Sequence, residues 1–282
     1  MAAATAIVFG YGDIGIRGLA ALLDAGVAVP LVVTHRDDPA ETRWYASLAD
    51  RARRRALPIL EDPDPQALEA KVAEIRPDLI FSFYYRSMLP LSVLKQARLG
   101  AYNMHGSLLP KFRGRAPLNW AIVMGETETG ATLHEMVEKP DAGRIVDQQA
   151  VPIGPDDTAV EVFHRMTKAA QTVLKRSLPA IVKGAVPFKP NDLARGSYYG
   201  RRRPEDGRID WSKSAQEIHN LVRAVAPPFP GAFDERLRVH RTQITDRSVP
   251  NRPPGTFQER GEWFAVCGDG KVLRLLEVQE KK

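Results

Sequence analysis

The chain of 282 residues is long enough for one large α/β domain, or for a larger domain followed by a smaller one. Hydrophobic residues make up 44% of it and charged residues 26%, which excludes a disordered, collagen-like or disulfide-stabilised chain. The single cysteine, Cys267, excludes an internal disulfide and a multi-thiolate metal site. No leader-like segment begins the sequence, and no run approaches the roughly 18 apolar residues that span a bilayer. We therefore expect a cytoplasmic protein with no membrane contact.

The net charge of +6 raises the question of a nucleic-acid partner. The basic excess is spread along the chain, with a tilt toward residues 201–282, which hold 16 Lys and Arg against 12 Asp and Glu. Two local clusters occur, one at Arg51 and 53–55 and the other at 201–203. Neither alternates with aromatic residues as a base-stacking surface would. The charge pattern therefore does not favour nucleic acid as the partner.

Short β-branched runs alternate with helical stretches in the first third of the chain, a pattern typical of βαβ units in a parallel sheet. The predicted elements, in chain order, are strand 7–9, a glycine turn at 10–15, helix 16–25, strand 31–34, helices 40–56 and 66–75, strands 79–83 and 101–103, helix 117–124, strand 131–137 and helix 158–183. Beyond residue 184, glycine and proline interrupt the periodicity. We predict an α/β domain with a mostly parallel sheet at residues 1–190 and a small β-rich domain at residues 205–282.

The glycine turn, Gly10 to Gly15, reads GYGDIG and matches GxGxxG between a strand and a helix. Such a turn could hold a pyrophosphate at the helix N-terminus. However, Asp13 would place a carboxylate where the diphosphate sits, and the second strand runs into His35 and Arg36, which would suit a 2′-phosphate. The pattern favours a plain glycine-rich turn, with an NADP-dependent oxidoreductase as an alternative.

Asn103 and His105 lie just past a short apolar strand, where open α/β sheets build their sites. They are two residues apart, so an extended backbone directs both side chains to the same face. An Asn amide can donate to a developing oxyanion while a His moves a proton. The following loop, 106–117, holds two prolines, two glycines and three cations, which is unusual for a plain connection. For the pair taken alone, a capping or structural role stays open.

An acid follows the predicted strand 131–137, in the sequence Lys139-Pro140-Asp141-Ala142-Gly143. Asp141 could orient His105 and raise its pKa toward the working pH, although the same sequence is also good turn chemistry. Ser107 lacks a G-x-S-x-G context, so we predict no covalent nucleophile. We also predict no metal site, because the other histidines show no metal-ligand spacing; they are His35, His134, His164, His219 and His240.

Asn103, His105 and Asp141, within NMHGSLLPKFRGRAPLNWAIVMGETETGATLHEMVEKPDAG, resemble the 10-formyltetrahydrofolate-dependent formyltransferases. That family includes methionyl-tRNA formyltransferase, the glycinamide ribonucleotide enzyme and the sugar-nucleotide N-formyltransferases. FSFYYR, GRRRPEDGRIDW and VRAVAPPFPGAF look most like the formyltransferase domain of ArnA-type UDP-4-amino-4-deoxy-L-arabinose formyltransferases. The resemblance covers residues 5–235. ArnA continues into an NAD-dependent decarboxylase domain, so we expect only the formyl-transfer half in this chain.

The resemblance implies a Rossmann-like, folate-binding catalytic domain at residues 1–190 and an OB-like domain at residues 205–282. It implies that Asn103 stabilises a tetrahedral intermediate, that His105 acts as acid and base, and that Asp141 tunes His105. It also implies that the glycine turn holds no nicotinamide and that 10-formyltetrahydrofolate is the co-substrate. The implied folate contacts are Ser87, Met88, Leu89, Arg115, Val137, Glu138, Lys139, Pro140 and Asp141.

The implied reaction is direct formyl transfer to a primary amine, without a metal or an acyl-enzyme. We expect a small-molecule acceptor, an amino-sugar nucleotide similar to UDP-4-amino-4-deoxy-L-arabinose, in lipopolysaccharide or amino-sugar biosynthesis. Arg201, Arg202 and Arg203 are candidates to bind its diphosphate. The first alternative is methionyl-tRNA formyltransferase, against which Arg115 and the Leu118-Asn119-Trp120 run argue. A second alternative is a nucleic-acid-binding module built on the C-terminal domain. The sequence leaves open whether the protein forms a homo-oligomer.

Overall fold

The computed structural model describes residues 3–37, 43–249 and 251–281. The packing of its Cα atoms divides the chain into two compact units. The first unit comprises Met1–Gly114, Gly130–Val151 and Arg165–Tyr198, and the second comprises Arg115–Thr129, Pro152–His164 and Tyr199–Lys282. The predicted domains at residues 1–190 and 205–282 stay a prediction.

The secondary structure alternates between strands and helices up to residue 182 and is mostly strand after residue 230. The strands are β1 (Thr5–Gly10), β2 (Ala28–Thr34), β3 (Ile59–Glu61), β4 (Leu79–Phe83), β5 (Gly100–His105), β6 (Arg113–Gly114), β7 (Glu128–Glu135), β8 (Ile145–Pro152), β9 (Tyr198–Tyr199), β10 (Ala232–Phe233), β11 (Leu237–Ser248), β12 (Gly255–Glu259), β13 (Glu262–Val266) and β14 (Lys271–Glu280). The α-helices are α1 (Gly12–Asp24), α2 (Leu48–Arg53), α3 (Pro65–Ile75), α4 (Leu91–Leu94), α5 (Pro117–Val123), α6 (Ala159–Val182) and α7 (Ala215–Ala224). Across residues 3–37, 43–249 and 251–281, none of the helices combines the length and the apolar character that crossing a membrane requires.

The main sheet has the strand order β3-β2-β1-β4-β5-β7-β8. β1 pairs in parallel with β2 and β4, β2 with β3, and β4 with β5, whereas β7 runs antiparallel to β5. The predicted, mostly parallel sheet is therefore confirmed. Every residue of β4 is buried, as expected for a central strand covered on both faces. One core cluster consists of Ile7, Phe9, Leu31, Val33, Leu68, Val72, Ile80, Val93, Leu94 and Ala101.

Several predicted elements change their limits in the structure. Predicted strand 131–137 corresponds to β7, which begins at Glu128 and ends at Glu135, and the following strand β8 was not predicted. Helix 40–56 is wrong in extent, because the observed helix is α2, and residues 40–42 lie outside the described residues. Ser47 has an extended backbone and its side chain accepts the N–H of Asp50, and this cap sets the start of α2.

The GxGxxG turn is also shorter than predicted, since α1 already begins at Gly12. A Cβ atom at Gly10 or at Gly15 would lie 2.9 Å from a methyl carbon of Leu48. The carboxylate of Asp13 accepts the backbone N–H of Ala46. Close packing of β1, α1 and the segment leading into α2 therefore accounts for the glycines of this turn.

The second unit contains an antiparallel sheet with the order β10-β11-β14-β13-β12. This sheet confirms the predicted β-rich C-terminal part, but α7 was not predicted. The sequence does indicate the start of α7, because Ser214 and Glu217 form a capping box before an amphipathic stretch. The core between α7 and the sheet includes Ala215, Ile218, Val222, Val239, Ala265, Leu273 and Leu275.

Candidate active site

The carboxyl end of β5 carries Asn103 and His105, and the connection from β7 to β8 carries Asp141. β5 lies between β4 and β7 in the sheet. In the antiparallel pairing of β5 with β7, Asn103 is opposite His134. Residues directly opposite in such a ladder direct their side chains to the same face. The sheet thus brings Asn103, His105 and Asp141 together and adds His134 to them.

His105 is buried, with 5% of its surface exposed. Its Nε2 donates to the carbonyl oxygen of Phe112 at 2.8 Å, and its Nδ1 lies 3.5 Å from Oδ1 of Asp141. Phe112 adopts a left-handed conformation, with φ of 55°, which is uncommon for an aromatic residue. Both ring nitrogens of His105 therefore face oxygen atoms of the first unit.

The Asp141 carboxylate is the most highly connected group of the site. Its Oδ1 lies 3.5 Å from Nδ1 of His105 and 3.5 Å from Nε2 of His134, and its Oδ2 accepts the N–H of Gly114 at 2.8 Å. Its backbone is left-handed, with φ of 51°, a conformation that costs about 1–3 kcal/mol and is concentrated at functional sites.

Two contacts hold the Asp141 backbone in this conformation. The Nδ2 of Asn191 donates to the carbonyl oxygens of Asp141 and Gly143, at 3.0 Å each. A Cβ atom at Gly143 would lie 1.9 Å from the carbonyl oxygen of Glu135, so only glycine fits there. The loop that presents the carboxylate is thus fixed by residues that the sequence analysis did not single out.

His134 is a buried neighbour of the three predicted catalytic residues that was not among the predicted site residues. It is 2% exposed, its Nδ1 donates to the carbonyl oxygen of Glu135 at 2.8 Å, and its Nε2 lies 3.1 Å from Nδ2 of Asn103. In the sequence, His134 is one of five histidines without metal-ligand spacing. The available signal was its position on the predicted strand 131–137, which leads to Asp141. The pairing of that strand with β5, and its register, cannot be derived from local periodicity.

The electrostatics of the site keep Asp141 ionised. Burial would raise the pKa of Asp141, but His105, His134 and the Gly114 N–H outweigh it and lower that pKa to about 2. Burial lowers the pKa of His105, although Asp141 and the Phe112 carbonyl oppose the change. Asp141 therefore acts in the predicted direction, but the expectation of a raised His105 pKa is wrong, because burial is the larger effect.

The predicted folate contacts lie in three segments. Ser87 and Met88 are exposed after β4, Met88 with 60% of its surface, whereas Leu89 packs partly against the core of the first unit. Residues 137–140 precede Asp141, with Glu138 and Lys139 exposed and Val137 and Pro140 partly buried. Arg115 is exposed in the second unit, where its N–H donates to Tyr199.

The three arginines proposed for the acceptor differ in their surroundings within the second unit. The guanidinium of Arg202 lies 4.6 Å from the ring centre of Trp120 and donates to the carbonyl oxygen of Asp206 at 2.8 Å. Burial lowers the pKa of Arg202. Arg201 and Arg203 are exposed. Arg202 therefore has a packing role, and the two flanking arginines present their charges to solvent.

For the part of the chain that is described, no three His, Cys, Asp or Glu side chains are arranged as a group that could hold a metal ion.

Comparison with known families matches residues 7–178 to the formyl transferase family and residues 202–282 to the formyl transferase C-terminal domain. The chain belongs to the formyl transferase family. The family assignment agrees with the observed architecture, in which a mostly parallel sheet is followed by an antiparallel one.

Several solved structures share the fold at low sequence identity. An N-formyltransferase from Helicobacter canadensis, solved with folinic acid and dTDP-3-aminofucose, has a TM-score of 0.79 and 20% identity, covering 99% of this chain and 100% of that chain. The sugar 3-N-formyltransferase WlaRD, solved with dTDP and 5-N-formyl-THF, has a TM-score of 0.78 and 19% identity, covering 99% of this chain and 98% of that chain. HypX from Aquifex aeolicus, in complex with tetrahydrofolic acid, has a TM-score of 0.67 and 19% identity, covering 98% of this chain and 44% of that chain.

Substitution Asp141→Asn tests the electrostatics of this formyl transferase site. We expect the His105 imidazole to titrate below its ordinary pKa of about 6.5 in the unsubstituted protein, and lower still in Asp141→Asn, because the carboxylate is the group that raises this pKa. The measurement is an NMR pH titration of the His105 C2 proton, assigned with a His105→Gln control. A higher His105 pKa in Asp141→Asn would contradict the assignment.

Proposed function

We propose that this formyl transferase moves the formyl group of 10-formyltetrahydrofolate to the primary amine of an amino-sugar nucleotide. The observation that carries the proposal is the convergence of Asn103, His105 and Asp141 at one end of β5. Support for the two substrates comes from the Helicobacter canadensis and WlaRD proteins, which share the fold over nearly the whole chain. The product fits cytoplasmic amino-sugar or lipopolysaccharide biosynthesis.

Asn103 supplies the charge stabilisation in the proposed mechanism. Attack of the neutral amine on the formyl carbon turns the carbonyl oxygen into an oxyanion. The Asn103 amide carries two N–H bonds, of which one is directed at Nε2 of His134, so the other can donate to this oxygen. A fixed donor in a buried site needs no reorganisation when the charge forms.

His105 and Asp141 carry out the proton transfers that accompany the same step. The amine loses a proton as the new C–N bond forms, and the N10 of the folate gains one as its bond to the formyl carbon breaks. A neutral His105 can accept the first proton, and the ionised Asp141 stabilises the resulting imidazolium. In the structure Nε2 carries a proton and donates it to the Phe112 carbonyl. Nε2 can therefore accept the amine proton only after it leaves that carbonyl and the ring proton is on Nδ1, beside Asp141.

The surface near the site suits a folate. Met88 exposes a large apolar side chain just after β4, which fits the flat face of a pterin, and the segment 137–140 leads directly to the strained Asp141. We assign Ser87, Met88, Leu89 and residues 137–141 to folate binding on this basis, and Arg115 on the resemblance to the formyltransferases. Arg201 and Arg203 are assigned to the acceptor diphosphate.

A screen of amine acceptors tests the proposed function. We expect the protein to transfer a formyl group from 10-formyltetrahydrofolate to UDP- or dTDP-linked 4-amino sugars, with UDP-4-amino-4-deoxy-L-arabinose as the first candidate. Mass spectrometry reads the gain of one formyl group, and Asn103→Ala serves as the inactive control. Formylation of charged initiator tRNA, with no product from any sugar nucleotide, would support methionyl-tRNA formyltransferase instead.

Substitutions of the three central residues test the mechanism. We expect Asn103→Ala to lower single-turnover formylation by about 10²–10³-fold and His105→Ala by about 10²–10⁴-fold. Asp141→Asn should also lose most activity, and Asn tolerates the left-handed backbone at this position. Lys71→Ala, which removes an exposed ion pair on α3, is the matched control. Near-normal turnover with folding intact would remove the residue concerned from the mechanism.

The arginine segment gives a separate prediction. Arg201→Ala and Arg203→Ala should each raise the acceptor KM by about tenfold, the effect of losing one charge-assisted hydrogen bond, with the folate KM unchanged. Arg202→Ala should instead lower the unfolding temperature, because its guanidinium packs on Trp120. Arg241→Ala, which also removes an exposed cation of the second unit, is the control. An unchanged acceptor KM in the double variant Arg201→Ala/Arg203→Ala would overturn the assignment.

A further inference from the structure

His134 has no assigned role, yet it lies between Asn103 and Asp141. It is almost fully buried, with 2% of its surface exposed. Its Nε2 is 3.1 Å from Nδ2 of Asn103 and 3.5 Å from Oδ1 of Asp141. A buried imidazole at this position must satisfy both ring nitrogens, so its protonation pattern determines what its neighbours can do.

The second ring nitrogen identifies the tautomer. Nδ1 of His134 lies 2.8 Å from the carbonyl oxygen of Glu135. A carbonyl oxygen can only accept a hydrogen bond, so Nδ1 carries the proton. In the neutral imidazole, Nε2 is then an acceptor with its lone pair directed at the amide of Asn103.

An acceptor at Nε2 fixes the amide of Asn103 in one of its two orientations. With Nδ2 toward His134, an N–H bond meets the lone pair, and the second N–H of the same nitrogen stays available. If the amide turned over, Oδ1 would face Nε2 and two acceptors would oppose each other in a buried position. An unpaired acceptor of this kind is strongly disfavoured.

We propose that His134 is a positioning residue for formyl transfer, which acts by holding the Asn103 amide in the orientation that donates to the oxyanion. The proposal rests on the role given to Asn103 under the proposed function. It gives His134 a function distinct from that of His105, although both imidazoles lie beside the same carboxylate.

The distances favour Asn103 over Asp141 as the group that His134 serves. The separation of 3.1 Å from the Asn103 amide is within the usual range for a hydrogen bond, whereas 3.5 Å from the Asp141 carboxylate is beyond it. A hydrogen bond to Asp141 would also need a proton on Nε2, in addition to the one on Nδ1. Asp141 already accepts the N–H of Gly114.

Two polar variants separate the functions of the two ring nitrogens. In His134→Gln the side-chain amide can reach the position of Nε2 with its oxygen and accept from Asn103. The shorter amide in His134→Asn can reproduce the donor at Nδ1 but provides no acceptor near Asn103. We expect His134→Asn to lower kcat by about 10–100-fold, with KM for both substrates unchanged, and His134→Gln to recover at least tenfold of that loss.

Double variants show which neighbour transmits the effect. If His134 acts through Asn103, then His134→Asn should cause no further loss of kcat in an Asn103→Ala background. The same substitution should cause its full loss in an Asp141→Asn background, because Asn103 is intact there. Each variant is compared by single-turnover formylation and by its unfolding temperature.

The opposite pattern would overturn the inference. A full additional loss in the Asn103→Ala background, or equal activity of the Gln and Asn variants, would show that His134 does not act through the Asn103 amide. Loss of the effect in the Asp141→Asn background would assign His134 to the carboxylate instead. Wild-type turnover by Asn103→Ala itself would refute the role of Asn103 under the proposed function, an outcome that is visible before any double variant is made.

Discussion

The site depends on one buried carboxylate. Asp141 has only 12% of its side chain exposed, and a carboxylate removed from water is stable only when its neighbours replace that water. The N–H of Gly114 donates to its Oδ2, and the imidazoles of His105 and His134 each lie 3.5 Å from its Oδ1. These neighbours come from β6, β5 and β7, so the surroundings of the Asp141 carboxylate require the three strands to be assembled.

The same requirement explains the backbone strain near the site. Phe112 and Asp141 both adopt left-handed conformations, and each directs an oxygen at a nitrogen of His105. A relaxed backbone at either residue would move that oxygen away. The strain is held by tertiary contacts, among them the two hydrogen bonds from Asn191 to the Asp141 loop. The result is a set of fixed dipoles around a neutral imidazole, which is the arrangement that electrostatic stabilisation of a transition state requires.

Local sequence patterns were sufficient for part of this arrangement. The two-residue spacing of Asn103 and His105 predicts a shared face on a strand, and the apolar run at 79–83 predicts the central strand β4. His134 and Asn191 could not be found in the same way. The role of His134 depends on the register between β5 and β7, and that of Asn191 on a contact 50 residues along the chain from Asp141. Neither the strand register nor this long-range contact can be predicted from local periodicity.

The division of the chain into two units also separates two chemical requirements. Asn103, His105, His134 and Asp141 all belong to the first unit, where each depends on its neighbours for orientation and charge. The cations proposed for the acceptor belong to the second unit, where they flank the half-buried Arg202, which packs on Trp120. Substitution of the exposed Arg201 and Arg203 leaves the Asp141 carboxylate and its neighbours intact, because these arginines make no contact with that group. Substitution of one of the four residues in the first unit disturbs the others, because it leaves a buried polar atom without a hydrogen bond.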